Sequence, residues 1–436
     1  MSKLQIGVAK HCISPPLGTI LFGYPKRRPA LSIGDDLTVV AAALTYGDTK
    51  AILISADICV VAEQTALEFR QQISEKTGVP VEAITFCTTH THSGPETNMQ
   101  TSGWGSANME YLNGILRPHT IQAAVDAMSA LRPALMGVAS TECTMAANRR
   151  AISPDGTVDL GQNPWGLVDK ELTVVSFKDA QTDEVLLNIA HYGAHGTASG
   201  CNDEVTRDWP GAMKDGLERD VGGVAMFIAG SIGETGPRCP NGGTTQSYQV
   251  AQELGRRAGL DAVTAWHKIK EWRNAPVGVT TGDVVVPYEP LPSKETAEEE
   301  LAKLGKFEDL TPYQKNEYLR WTRILNEYKD GAPKTAWLQK QGILTIGPVA
   351  IVPFPFEMFQ YTTLQLRQYS HFPFTLSVSC ANGNKAYLPS EDQICRGGYE
   401  IWQFRNYNTY KMVDEAATYL VTENLKILNK AYESQK

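Results

Sequence analysis

A mixed α/β fold, with mixed β-sheets flanked by helices, is what this sequence predicts. Short β-rich runs alternate with longer segments of helical spacing, 42% of the 436 residues are apolar and can bury a large core, and no repeat or low-complexity tract breaks the alternation. The runs LTVVAAALTYG (37–47) and AILISADICVV (51–61) read as neighbouring strands, and QTALEFRQQISEKTG (64–78) as a helix that stops at a glycine. AITFCTTHTH (83–92) is the next strand and HTIQAAVDAMSAL (119–131) the next helix. The strands LTVVSFKD (172–179), EVLLNIAHYGAH (184–195) and VAMFIAG (224–230) follow, then the helix SYQVAQELGRRAGLDAVTAWHKI (247–269). Residues 290–340 carry two charged amphipathic helices, read as a helical insertion within a single domain spanning 1–436. Strands return at GILTIGPVAIVPFP (342–355), and the helix MVDEAATYLVTENLKILNKAY (412–432) closes the chain.

Charge and composition exclude some functions. A formal net charge of −8, without a Lys/Arg stripe, argues against nucleic acid as a partner. No long apolar run predicts a membrane span. The opening stretch lacks the apolar segment of a secretion signal, and the eight cysteines form no CxxC pair, which suggests reduced thiols and a cytoplasmic location.

The chemistry concentrates in histidines. TTHTHSGP (88–95) sets His90 and His92 two residues apart at the end of an expected strand, where residues i and i+2 share a face. Such a pair alone is as compatible with hydrogen-bonded structural residues as with a metal site. A second pair, His191 and His195 in NIAHYGAHGTASG, also lies where an apolar strand gives way to small residues. Loops at strand ends are where α/β scaffolds usually carry catalytic groups. A zinc site needs three or four N, O or S donors, so a carboxylate and a phenol are sought elsewhere. GSIGETG (230–236) lacks the Lys-Ser/Thr of a phosphate loop and reads as tight turns.

THTHSGP (89–95), MAANRR (145–150), LVDKELTVVSF (167–177), AHGTASG (194–200), RDWPG (207–211), PFEMF (355–359) and NGNKAYLPSEDQICRGGYE (382–400) resemble, in order, the catalytic domain of the neutral, non-lysosomal ceramidases and their bacterial relatives. The resemblance runs from about residue 5 to about residue 430 and implies that fold, a zinc (Zn2+) cofactor and amidase chemistry. It implies His90, His195, Glu357 and Tyr387 as metal ligands, His92 facing the reacting carbonyl, and Arg149 beside the site. Attack by hydroxide generated on the metal, with proton donation to the leaving amine by His92, is the mechanism it suggests.

The departures bear on the substrate. Ceramidases carry GDVSPN where this chain reads GETGPRC, so Gly236 replaces the serine, Arg238 replaces the asparagine, and a serine mechanism is unavailable there. Gly196 stands where the family has proline, and the fold is expected without the C-terminal immunoglobulin-like domain of the longer enzymes. Arg238, Lys385 and Arg207 fall in or beside matched motifs, which predicts substrate-binding cations and a small, polar, anionic substrate. Acidic neighbours in the sequence offer them ion pairs instead. His191 and Asp208 are expected to support the ligands from behind. The same first shell serves a zinc enzyme acting on an ester, lactone or sugar-derived substrate, and a non-catalytic metal-binding protein is a further alternative. The insertion at 290–340 is read either as a cover for the site or as a contact in a homo-oligomer.

Overall fold

The computed structural model describes residues 3–26, 28–98, 105–331 and 333–436. An eight-stranded sheet runs, edge to edge, through Val224–Ala229, Val185–Tyr192, Glu171–Asp179, Arg132–Glu142, Gln5–Cys12, Thr38–Tyr46, Thr49–Ala56 and Ile84–Thr88. The inner pairings are antiparallel, and the outermost pairing at each edge is parallel. The strands expected at 37–47, 51–61, 172–179, 184–195 and 224–230 all lie in this sheet.

Side-chain alternation divides the sheet between two cores. On its first strands Val174, Ala190 and Phe227 face helices Asp208–Val221 and Tyr248–His267, whereas Val175, Ile189 and Ile228 join the central core. That central core also takes Phe69 and Ala124 from helices Glu63–Thr77 and Arg117–Ser129. The two ends of the sheet meet, because the Ser55 hydroxyl donates to the Phe227 carbonyl at 2.6 Å. A mixed α/β architecture follows, as the composition predicts.

A second sheet of four strands, Val277–Pro287, Ala336–Ile346, Val349–Pro353 and Phe374–Val378, packs with helices Gln360–Tyr369, Tyr399–Asn406 and Ala416–Glu433 around its own core. Its first two strands pair along their whole length, and helices Lys294–Leu304 and Pro312–Asp330 lie in the chain between them. Strand Ala336–Ile346 begins inside the 290–340 stretch, so the helical part ends earlier than the composition suggests. No helix among the described residues is long and apolar enough to cross a membrane.

Three parallel pairs in the two larger sheets organise everything that follows. Thr49–Ala56 beside Ile84–Thr88, Val185–Tyr192 beside Val224–Ala229, and Val349–Pro353 beside Phe374–Val378 each run in one direction. Their carboxyl ends lead into the loops that carry the conspicuous histidines, Glu357 and Tyr387. The crevice beyond the carboxyl ends of parallel strands is where open α/β sheets bind ligands.

One buried ion pair ties down the first of these loops. The Asp57 carboxylate, one residue past its strand, accepts from Thr38 N–H, the Thr38 hydroxyl and Lys214 Nζ at 2.7–3.0 Å. Both charges are almost fully buried. Lys214→Ala would leave the carboxylate buried without its cation and is expected to cost about 3–5 kcal/mol, measured by urea unfolding. A loss below about 1 kcal/mol would show that the pair does not hold this loop.

Candidate metal centre

The first histidine loop departs from strand geometry. The strand ends at Thr88, not at His92 as the sequence predicts, and His90 adopts a left-handed backbone with φ 62°. The two imidazoles therefore do not adjoin through strand periodicity. What brings them together is a set of backbone hydrogen bonds: Thr89 N–H to Ala56 O, His90 N–H to Ile58 O, and His92 N–H to Gly196 O. Thr91 and Gly196 form a parallel bridge, so this loop and the loop bearing His195 are zipped together. A Cβ on Gly196 would sit 2.7 Å from the His90 carbonyl oxygen, which is why this chain carries glycine there.

Each imidazole is held from behind. His90 Nδ1 lies 3.0 Å from Cys59 O, His92 Nδ1 2.9 Å from Gly23 O, and His195 Nδ1 2.7 and 3.0 Å from Ile232 O and Thr235 O. A carbonyl only accepts, so each Nδ1 carries the proton and each Nε2 presents a lone pair. These lone pairs converge. His92 Nε2 is 3.2 Å from His90 Nε2, and Glu357 Oε2 is 3.1 Å from His195 Nε2 and 3.6 Å from His90 Nε2.

Burial holds all three imidazoles below the usual histidine range, His195 at about 4, so they are neutral at pH 7. Burial raises the Glu357 carboxyl and its charged surroundings lower it below the usual range; with the imidazoles neutral, the Arg149 guanidinium is the permanent charge that favours the carboxylate. Neutral lone pairs and a carboxylate thus face one another without a proton to share. A cation resolves that repulsion, and His90, His195 and Glu357 form one group with donor atoms close enough to hold it. Cys59 groups with His90 and His92 as well, but its Sγ lies at the Nδ1 edge of His90, 3.8 Å away. Burial drives that thiol well above its ordinary range, so it stays protonated.

Glu357 and Tyr387 are brought side by side by register, since Glu357–Met358 pairs in parallel with Tyr387–Leu388. Asn384 Nδ2 donates to Glu357 Oε1 at 3.3 Å. The Tyr387 hydroxyl accepts from Arg149 Nη2 at 2.8 Å and lies 3.5 Å from His195 Nε2. Arg149 also donates from Nε to Glu400 Oε1 at 2.9 Å, and Glu400 Oε2 accepts from Arg150 at 2.8 Å. Burial would lower the Arg149 guanidinium, but Tyr387 and Glu400 over-compensate and fix its charge. His90, His92, His195, Glu357, Tyr387 and Arg149 therefore meet at one place.

Sequence reasoning missed Cys59, Asn384 and Glu400. Asn384 and Glu400 carried a signal, since both lie in the quoted stretch 382–400, and Cys59 carried none.

The other expected site residues lie elsewhere. Arg207 is locked to Asp35 and Asp215, and Arg238 is exposed with one bond to Ala146 O. Lys385 pairs with Glu63 at 2.9 Å and lines a neighbouring cavity. None of these three reaches the pocket over the centre, so the predicted cluster of substrate-binding cations does not form. Arg207 and Lys385 find acidic partners instead, Asp35 with Asp215 and Glu63, and Arg238 bonds a backbone carbonyl. His191 stays inside its strand and bonds Ser377 O through Nε2 at 2.8 Å, away from the convergent donors. The Asp208 carboxylate accepts from the N–H groups of Ala198, Ser199 and Trp209, and Trp209 Nε1 donates to His195 O at 2.8 Å.

The pocket above the donors measures about 220 Å³. Phe22, Tyr24, Val60, Tyr399 and Tyr407 give it a largely aromatic and apolar wall, with Tyr313 from helix Pro312–Asp330 at its edge. Arg149 is the one guanidinium among its lining residues, and it is already bonded. Gly236 has no room for a serine, because a Cβ there would meet Thr244 at 2.7 Å.

Fold and centre define an α/β protein with three imidazoles, a carboxylate and a phenol gathered at the carboxyl ends of parallel strands. No family model and no curated protein matches the sequence. Solved structures match throughout: a ceramidase complexed with C2, at 16% identity and TM-score 0.76, aligns over 100% of this chain and 76% of that one. The neutral ceramidase from Pseudomonas aeruginosa aligns at 17% identity and TM-score 0.76, over 99% of this chain and 75% of that one. The chain has the neutral ceramidase fold, as the sequence motifs imply.

His191 supplies a pH test apart from the donors. Burial lowers its imidazole to about 4, below the ordinary value of 6.5. The unfolded chain therefore takes up a proton that the folded chain refuses, and stability falls as pH drops from about 6.5 to 4. His191→Gln is expected to remove about 3 kcal/mol of that fall, read from urea midpoints across the range. An unchanged slope would mean that His191 titrates normally in the fold.

Proposed function

We propose that this chain is a zinc-dependent hydrolase that cleaves an amide (N-acyl) bond. The observation carrying this reading is the convergence of the unprotonated Nε2 atoms of His90 and His195 on the Glu357 carboxylate, with His92 Nε2 beside that of His90 and each imidazole fixed through Nδ1 to a backbone carbonyl. The ceramidases that share the fold add weight to an amide substrate. His90, His195 and Glu357, with Tyr387 at their edge, would hold the cation, and neutral imidazoles with a carboxylate suit zinc. A bound zinc ion would act there as a Lewis acid, polarising a carbonyl and lowering the pKa of water.

The chain's own groups supply the rest. Half-buried at the pocket side, His92 has an unprotonated Nε2 and accepts the proton of an attacking water. The oxygen adds to the carbonyl carbon, His92 returns the proton to the nitrogen as the C–N bond breaks, and a carboxylic acid and an amine result. Because Arg149 already donates to the Tyr387 oxygen, the Tyr387 proton is free to point at the developing oxyanion. Glu400 holds Arg149 in place for this.

The aromatic wall selects a substrate with an apolar body, in place of the small anion expected from the sequence. An ester would meet the same groups, so matched N-acyl and O-acyl compounds separate the two chemistries.

Elemental mass spectrometry is expected to find about one zinc per wild-type chain and none in a His90→Ala, His195→Ala double variant. Equal metal in both proteins would remove the centre from this reading. In the loaded enzyme His92→Asn should keep its zinc but lose roughly 10²–10⁴ in kcat on an N-acyl substrate. A zinc-loaded wild type inactive on both acyl classes would leave a binding protein.

A further inference from the structure

The strand Ala146–Ile152 is a wall between two cavities. Side chains alternate along it, so Arg149 lines the pocket of the metal centre while Asn148 and Arg150 line a second cavity of about 760 Å³. The floor of this second cavity is polar and buried, formed by Asn148, Arg150 and Glu234. Arg150 bonds Glu400 there and shares that carboxylate with Arg149. The acidic Glu391 and Asp392 on the rim stand against Arg396, so the cavity offers an anion no net attraction.

Its wall carries the most exposed large apolar side chain among the described residues, Trp165, at 93%. The backbone beneath that indole is pinned. Trp165 N–H donates to Asn163 Oδ1 at 3.0 Å, Gly166 N–H to Asn163 O at 3.2 Å, and Asn148 Nδ2 to Leu167 O at 3.1 Å. Gly166 allows this close approach, since a Cβ there would lie 2.3 Å from the Asn148 side chain. Tyr361, 48% exposed, also lines the cavity.

An indole on a turn anchored to the cavity floor, facing solvent beside carboxamides and carboxylates, matches the chemistry of a sugar ring. The apolar C–H face of a pyranose stacks on an aromatic face, while its hydroxyls donate to carboxylates and exchange hydrogen bonds with carboxamides. A flat protein partner would have no use for the buried polar floor, and a nucleotide would bring phosphates toward Glu234, Glu391 and Asp392. We propose that this cavity binds a neutral carbohydrate, with Trp165 as the stacking platform and Asp392 and Gln393 as hydrogen-bonding partners.

The test titrates the full chain with maltotriose, cellotriose, xylotriose, mannotriose and chitotriose, followed by calorimetry and tryptophan fluorescence. At least one trisaccharide should bind saturably. Trp165→Ala, a change at an exposed position, should weaken it by about tenfold or more, and Trp165→Phe should recover most of the loss. The His90→Ala, His195→Ala variant should bind the same sugar unchanged, which separates this site from the metal centre. The proposal is overturned if no trisaccharide saturates, or if Trp165→Ala binds as tightly as wild type. It is equally overturned if light scattering shows a dimer that Trp165→Ala converts to monomer, because the indole would then be a subunit contact.

Discussion

The centre depends on a constraint set by backbone carbonyls. Cys59, Gly23, Ile232 and Thr235 each present an oxygen to an imidazole Nδ1, and an oxygen that only accepts dictates the tautomer. Once the protons are pinned behind the rings, the lone pairs of His90 and His195 face a carboxylate and that of His92 faces His90, an arrangement that is repulsive by itself. The surrounding scaffold has to hold it. It does so with the ends of three parallel strand pairs, the bridge between Thr91 and Gly196, and the Asp57–Lys214 ion pair beneath the first loop.

Arg149, Glu400 and Arg150 extend this logic outward. One carboxylate, almost wholly buried, divides its two oxygens between guanidiniums on opposite faces of one strand. One negative charge bridges two positive ones, and the strand is stiffened where it separates the two cavities. Tyr387 is oriented from the same network, so the reacting side and the sugar-sized cavity share a structural member.

The α/β class and the strands were legible because burial imposes periodicities of two and 3.6 on a sequence. The clustered histidines were legible for a different reason, since their type is rare in this chain. The geometry behind them was not, because His90 leaves the strand and its left-handed backbone has no signature in AITFCTTHTH. Glu357 and Tyr387 emerged only through motif resemblance, as their proximity to the histidines comes from strand pairings far along the chain. Arg207 and Lys385 misled because nearness in sequence to a motif says nothing of ion pairs with Asp35 or Glu63. Glu400 and Cys59 act through contacts that no local pattern encodes.

The order of the donors along the chain has a consequence for the protein's biosynthesis. His90 leaves the ribosome before His195, and Glu357 and Tyr387 follow both. The three imidazoles and the carbonyls behind them belong to the part of the chain around the first sheet, and the full donor set is complete only when the second sheet brings in Glu357 and Tyr387. Any ion that occupies the centre is therefore drawn from the compartment in which the finished chain folds, and the supply of metals there, together with the shape of the cage, decides which ion it is.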